Sequence, residues 1–166
     1  MKTSRLAKLE GIPVRATRNT MMKVMQPPQA NIYGYVHGGE IMKLVDEAAF
    51  VSAMRLARCN VVTAGVDQQN FLHPVRIGDV LILKSQVNYV GTTSMEVGVL
   101  VEAEDLKAGR VHKVGSAYFT MVALDDLGRP AAVPRLIVEA TEDKARYRRA
   151  EARRQARLDF IKKHRS

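Results

Sequence analysis

Apolar residues along this chain follow two rhythms. From Gly38 or Gly39 to about Ala57 or Arg58, the apolar or small residues Ile41, Met42, Leu44, Val45, Ala48, Ala49, Ala53, Met54, Leu56 and Ala57 occupy nearly every angle of a helix. A helix apolar on all sides predicts burial on all sides, under a wrapping sheet or several neighbours. Downstream the period changes to two. Met95, Val97, Val99 and Val101 share one face of SMEVGVLVEA (94–103), and NVVTAGVDQQNFL (60–72), VLILKSQVNYV (80–90) and VHKVGSAYFTMVAL (111–124) read as further strands. Gly91-Thr92-Thr93 and a longer turn from Asp105 to Arg110 separate them. Upstream, a short apolar run from Met21 to Met25 ends at Pro27-Pro28 and reads as a first strand.

The predicted order is strand, buried helix, then four strands joined mostly by short turns. Hairpin-length turns favour an antiparallel sheet. One such sheet and one apolar helix bury each other best when the sheet curls around the helix. The expected class is α+β in the hot-dog arrangement, with a charged C-terminal helix from Glu139. A free sheet edge favours pairing with a second copy. The expected organisation is a basic N-terminal segment (1–19), one domain (20–138) and a charged helical extension (139–166). In that extension Leu158, Phe160 and Ile161 offer the main apolar surface.

Composition narrows the chemistry. The chain has 166 residues, 46% of them hydrophobic, enough for one ordinary core. Its single cysteine, Cys59, excludes an intrachain disulfide framework, and its four histidines show no metal-ligand spacing. The N-terminal residues lack the apolar run of a signal peptide, and no stretch is long and apolar enough to span a membrane. The expectation is a cytoplasmic protein. Its net charge of +9 sits at the ends: residues 1–23 and 139–166 carry +5 each, and the body carries −1. A basic tail can bind nucleic acid or an anionic membrane, meet a phosphate-bearing small molecule, or lie solvated. The body's balance points to neither nucleic acid nor membrane as partner.

Two acids interrupt the apolar helix. At 100° per residue, Asp46 shares its face with Gly39, Met42, Ala49, Phe50 and Ala53, whereas Glu47 falls near Glu40 and Lys43. Glu47 reads as a partly solvated helix residue. Asp46 faces apolar groups, where a carboxylate needs a partner or a purpose. It is either paired with a neighbouring strand or subunit, or it is a functional acid. Gly38-Gly39 at the helix start is either a tight turn or an opening where amide donors and the positive helix end meet a carbonyl oxygen that gains charge. Asn31, in the preceding loop, is a turn former or a group that holds a water or a carbonyl. Seven residues separate Gly39 from Asp46, about 10 Å of helical rise. One carbonyl meets both only if a second copy lays its helix alongside, antiparallel.

The run from Asn31 to Ala49 (NIYGYVHGGEIMKLVDEAA) resembles the signature of hot-dog-fold acyl-CoA thioesterases, the cytosolic acyl-CoA hydrolase family. VVTAGVDQQNFLHPVRIGD (61–79), VGTTSMEVGVLVEAED (90–105), SAYFTMVALDDLGRP (116–130) and VPRLIVEATEDKARY (133–147) extend the resemblance over roughly residues 20–150. It implies hydrolysis of acyl-CoA to free acid and CoA, without a metal or other cofactor. It implies Asn31 and Asp46 as catalytic positions acting across a subunit interface, and a single-domain type that forms dimers assembled as trimers of dimers. It further implies carbonyl contacts at His37, Gly38 and Gly39, a pantetheine path along Asn70-Phe71, and CoA phosphates near Gly91, Thr92, Thr93 and Ser94. Thr92 stands where many relatives carry arginine, so Arg76, Lys84 or a tail residue is expected to supply that contact. The alternatives within the same fold are a dehydratase or hydratase using His37, and a non-catalytic acyl-CoA-binding protein that would not need Asp46.

Overall fold

The computed structural model describes residues 10–164. Strands β1 (Ile12–Pro13) and β2 (Asn19–Val24) flank a helical turn, Val14–Thr17. The central helix, Gly38–Ala57, follows. Then come β3 (Asn60–Phe71), β4 (Val80–Val90), β5 (Ser94–Asp105), β6 (Arg110–Leu124) and β7 (Leu136–Ile137), and the C-terminal helix, Thr141–His164, ends the described chain. Each of the expected long elements is present.

Five strands form one antiparallel sheet in the order β2-β4-β5-β6-β3. The short turns make β4, β5 and β6 a meander, as the sequence indicates. β3 departs from chain order: it crosses over to pair with β6 and forms one edge, while β2 forms the other. The residues between β3 and β4, including His73-Pro74, carry the chain across the end of the sheet. Close approach of β3 and β6 requires Gly115, where a Cβ would sit 1.9 Å from the Asn70 carbonyl oxygen. β1 and β7 form a separate parallel pair, Ile12 beside Leu136 and Pro13 beside Ile137. Periodicity does not announce two-residue strands. Val14 and Thr17 are buried, so the packed body begins upstream of residue 20. Residues 1–9 of the expected N-terminal segment lie outside the described residues.

The sheet's inner face supplies Leu81, Leu83, Val87, Met95, Val97, Val99, Val101, Ala117, Phe119 and Met121 to one core with the central helix. The helix contributes Ile41, Leu44, Val45, Ala48, Ala49, Ala53, Leu56 and Ala57. Its alanines let the strands approach closely, and Ser52 satisfies its buried hydroxyl on Ser85, which also donates to the Ala48 carbonyl (both 2.8 Å). Arg58, in the left-handed region at φ 53°, ends the helix and donates its N–H to the Met54 carbonyl.

Burial on all sides does not hold for this helix. Met42 and Phe50 are 46% and 43% exposed, Gly39 is exposed, and Asp46 is only half-buried. The five strands cover the other faces and stop at β3, so one stripe stays open beside the sheet edge. The C-terminal helix lies on the opposite, outer face of the sheet. Of the apolar residues near its end, Leu158 is half-buried, whereas Phe160 and Ile161 are exposed, Phe160 by 63%. Ala150 is buried, Tyr147 meets Tyr89 at 4.9 Å between ring centroids, and Arg153 makes a two-pronged bond to Glu96 (3.1 and 2.7 Å). Among the described residues no helix is long and apolar enough to cross a membrane.

Candidate active site

The open stripe of the helix carries the acid that the sequence singles out. Asp46 Oδ1 accepts a hydrogen bond of 2.6 Å from Thr63 Oγ1 on edge strand β3. Thr63 also lies 3.5 Å from Met121 Sδ. The Asp46 carboxylate is therefore neither an anomaly of the core nor free to rotate: a hydroxyl from the neighbouring strand holds one oxygen, on a face open to solvent. Glu47 and Lys43 are both exposed, and the ion pair their spacing allows is not formed. Sequence reasoning missed Thr63. A threonine in a strand is ordinary, and its importance comes from a contact 17 residues back along the chain.

At the N-terminal end of the helix, the loop from Gln26 to His37 folds back on itself. A 3-10 turn at Pro27–Gln29, a bridge between Ala30 and Val36, and another between Tyr35 and Arg76 fix its course. Asn31 sits near its tip. Its Oδ1 accepts from the Tyr33 and Tyr35 backbone N–H groups (2.9 and 3.2 Å). The turn-forming role is thus realised, and it fixes the amide's orientation: both N–H donors point at the oxygen, which leaves Nδ2 as the donor for a ligand.

The helix start is less open than the glycines suggest. His37 is the N-cap, and its Nδ1 accepts from the Gly39 N–H at 3.0 Å. The His37 carbonyl takes the Glu40 and Ile41 N–H groups. Of the two glycine amides, Gly38 has no hydrogen-bond partner among the described residues. Gly38 lines a groove of about 310 Å³ with Val36 and Ile41 on the helix side and Phe71, Leu72, Pro74 and Val75 opposite. A second hollow of about 470 Å³ adjoins it, sharing His73 and Pro74, and is lined by Arg76, Arg110 and His112. Its Asp105 carboxyl is held below the usual range, first by the Ala108 N–H and further by the Lys107 N–H and the charges of Arg76 and Arg110.

Phe71 thus lies beside Gly38, Arg76 lines the adjoining hollow, and Asn70, next to Phe71 in β3, pairs with Ser116. Gly91–Ser94 does not lie there. Ser94 pairs with Val122, which pairs with Val62, so this turn is at the Thr63 end of β3. Phe71 is eight residues further along that strand, about 26 Å away. Thr92 and Thr93 give their carbonyls to Val133 and Ala123, and a Cβ on Gly91 would lie 3.7 Å from Arg154 Nε. One chain therefore holds two separated groups: Asp46, Thr63 and Gly91–Ser94 at one end of β3, and Gly38, Phe71 and Arg76 at the other. Cys59 is a half-buried free thiol.

Comparison with known proteins identifies the family and the fold. Residues 33–109 match the family model described as the thioesterase superfamily. The rat cytosolic acyl coenzyme A thioester hydrolase is 34% identical over 142 residues; that match takes in 84% of this chain, which spans only 37% of the rat protein's length. A crystal structure of an apo-hexameric acyl-CoA thioesterase superposes with a TM-score of 0.88 at 34% identity, covering 92% of this chain and 97% of that one. The Staphylococcus aureus acyl-CoA hydrolase, solved with butyryl coenzyme A and coenzyme A, is 34% identical with a TM-score of 0.83, covering 92% and 94%. That enzyme has also been crystallised as three alanine variants, of an asparagine, an aspartate and a threonine spaced along its chain as Asn31, Asp46 and Thr63 are here. By fold, by coverage and by identity, the chain belongs to the acyl-CoA thioester hydrolases of the hot-dog thioesterase superfamily.

Proposed function

We propose that this protein hydrolyses acyl-CoA to a free carboxylic acid and CoA, at sites shared between two copies of the chain. The observation that carries this reading is the carboxylate of Asp46, held by Thr63 on the uncovered stripe of a helix whose other faces are packed. A carboxylate fixed by one oxygen and open to a substrate is suited to act on water or on a thioester carbon.

The two ends of β3 supply different halves of such a site. Two copies pairing antiparallel along β3 bring the Asp46 end of one against the Gly38 end of the other. The pairing would cover Met42, Phe50, Val62 and Val66, all more than 40% exposed in the single chain. The hexameric relative supports further assembly into a trimer of such dimers.

In this arrangement the thioester carbonyl accepts hydrogen bonds from the Gly38 amide and from Asn31 Nδ2. The Gly39 amide, bonded to His37 Nδ1 at 3.0 Å, stays outside this pair. The helix dipole favours the negative charge that develops on the oxygen. Asp46 of the second copy then acts in one of two ways. As general base it takes a proton from water, and the hydroxide adds to the carbonyl carbon. As nucleophile it adds directly, and water hydrolyses the resulting anhydride. On either route the C–S bond breaks, CoA leaves as thiolate and takes up a proton. The reaction as written needs no metal or cofactor. The acyl-pantetheine arm lies in the groove between Gly38 and Phe71. The His37 cap contact, which engages Nδ1 with the Gly39 amide, counts against a dehydratase that would use this ring as its base.

The test is release of free CoA from a series of acyl-CoAs, from two to eighteen carbons, by wild type and by Asp46→Asn. Turnover by wild type and its loss in the variant is the expected result. Hydrolysis that survives Asp46→Asn would overturn the assignment, and binding by wild type without turnover would make the protein a sensor of acyl-CoA.

A further inference from the structure

The outer face of the sheet, turned away from the central helix, holds a cleft of about 510 Å³ between the strands and the first half of the C-terminal helix. Its position follows from strand alternation. Val97, Val99 and Val101 of β5 point into the core, so Gly98 and Leu100 between them face outward. Leu100 has Lys84 and Ser116 as its cross-strand neighbours.

Six cations line this cleft: Arg18, Lys84, Lys113, Arg146, Arg149 and Arg153. Glu142 is the only acid among its lining residues. Three carboxylates hold four of the cations from the protein side. Asp143, 4% exposed, accepts from Arg18 Nη2 (2.9 Å) and Arg146 Nη1 (3.2 Å). Glu96, also 4% exposed, holds the Arg153 fork, and Glu102 lies 2.7 Å from Lys84 Nζ. Arg18 also gives its Nε to Gln86 Oε1 (3.2 Å), and Arg146 Nη1 also lies 3.9 Å from Glu142, so each arginine commits one or two of its five N–H donors to protein partners and has others left for a ligand. Lys113 sits opposite Glu102 in the ladder, but that carboxylate goes to Lys84. Among the described residues neither Lys113 nor Arg149 has a carboxylate within ion-pair distance.

Such a site has cations oriented from behind by buried carboxylates and an excess of positive charge at its mouth. That preorganisation favours a ligand with several anionic oxygens over a single charge. The one ring in the cleft, Tyr118, has the Arg153 guanidinium over one face at 3.7 Å from its centroid, which closes that face to a stacking base.

We propose that this outer cleft binds a compact polyanion through a diphosphate group, without reading any base attached to it. Inorganic pyrophosphate, a nucleoside diphosphate and the diphosphate of CoA share that chemistry. The site is separate from the one around Asp46, since the sheet lies between them, and does not depend on the hydrolase reading.

Calorimetric titration of the full chain with pyrophosphate, ADP, GDP, CoA and sulfate tests it. Wild type should bind pyrophosphate, ADP and GDP within about threefold of one another and sulfate far more weakly, with affinity falling as salt rises. Lys113→Ala combined with Arg149→Ala should weaken pyrophosphate about tenfold or more, as two charged contacts are lost. It should leave the ligand-free melting temperature and acyl-CoA hydrolysis unchanged. Asp46→Asn should still bind pyrophosphate and ADP as wild type does. If CoA is a ligand here as well, that variant shows CoA binding which pyrophosphate displaces. Any of three results would overturn the proposal: no pyrophosphate binding to wild type, undiminished binding by the double variant, or a preference above tenfold between ADP and GDP. A cleft closed by a neighbouring copy would show itself as the first of these.

Discussion

Thr63→Val removes one hydroxyl and keeps the shape of the side chain, so it isolates the bond to Asp46. A hydrogen bond to a charged group is worth about 1.5–3 kcal/mol, and exposure to water lowers it towards the bottom of that range. In the single chain Thr63 is exposed and Asp46 half-buried, which selects about 1.5 kcal/mol, whereas a second copy covering both selects about 3 kcal/mol. If the bond fixes the carboxylate in the transition state, kcat falls about 10- to 150-fold, with KM nearly unchanged because Asp46 is not asked to bind the ground state. A fall beyond about 100-fold points to a dry, covered site and so to the dimer. Thr63→Ser, which keeps the hydroxyl, should recover most of the rate. Steady-state kinetics on a short-chain acyl-CoA with release of CoA as readout, together with melting curves for both variants, provide the assay. A Thr63→Val enzyme within threefold of wild type in kcat would refute the claim that Thr63 positions the acid. So would a serine variant as slow as the valine one.

Arg153→Met strands Glu96, which is 4% exposed and keeps only the Asn88 amide at 3.3 Å, so denaturant unfolding should show a loss of roughly 3–5 kcal/mol. The paired change Glu96→Leu with Arg153→Met should return close to wild type, and a single-variant cost below about 1 kcal/mol would show that water reaches the acid. Burial alone would raise the Asp143 carboxyl, but the Gln86 amide and the charge of Arg18 outweigh it and hold it below the ordinary value. A depressed folded value means that its contribution is fully present above the unfolded pKa of about 3.9 and is lost as pH falls through the lower folded value. Acid titration followed by helical ellipticity should therefore show the C-terminal helix loosening below about pH 4, and Asp143→Asn should abolish that step; an unaltered acid transition in the variant would contradict the assignment.

Local pattern carried the sequence reading a long way, and where it stopped is physically informative. The central helix and the strands β3, β4, β5 and β6 lie within a residue or two of where their periods placed them. Period reports how a segment presents its own side chains, a property of neighbours along the chain. Helical phase likewise separated Asp46 from Glu47, and the rise per residue separated Asp46 from Gly39, before any fold was in view. The resemblance to acyl-CoA thioesterases rested on motifs written in the chain itself.

Contacts between distant segments were not written there. No period tells a strand which neighbour to choose, so β3 beside β6 and the two-residue pairing of β1 with β7 came only from the fold. The same strand choice brought Thr63 to Asp46 and left a stripe of the helix open, where the apolar pattern alone implied full cover. A side chain's hydrogen-bond partners are equally invisible in sequence, which is why the His37 cap on Gly39 and the two tyrosine amides on Asn31 Oδ1 emerged only in three dimensions. The C-terminal helix makes the point most fully: its arginines and acids look in sequence like a solvated face. Buried Asp143 and Glu96 turn that face into an attachment. The sequence by itself determined the elements, the two acids' different faces and the resemblance to a family. The tertiary structure decided which groups meet, because burial, pairing and the reach of a hydrogen bond depend on distances in space that spacing along the chain does not encode.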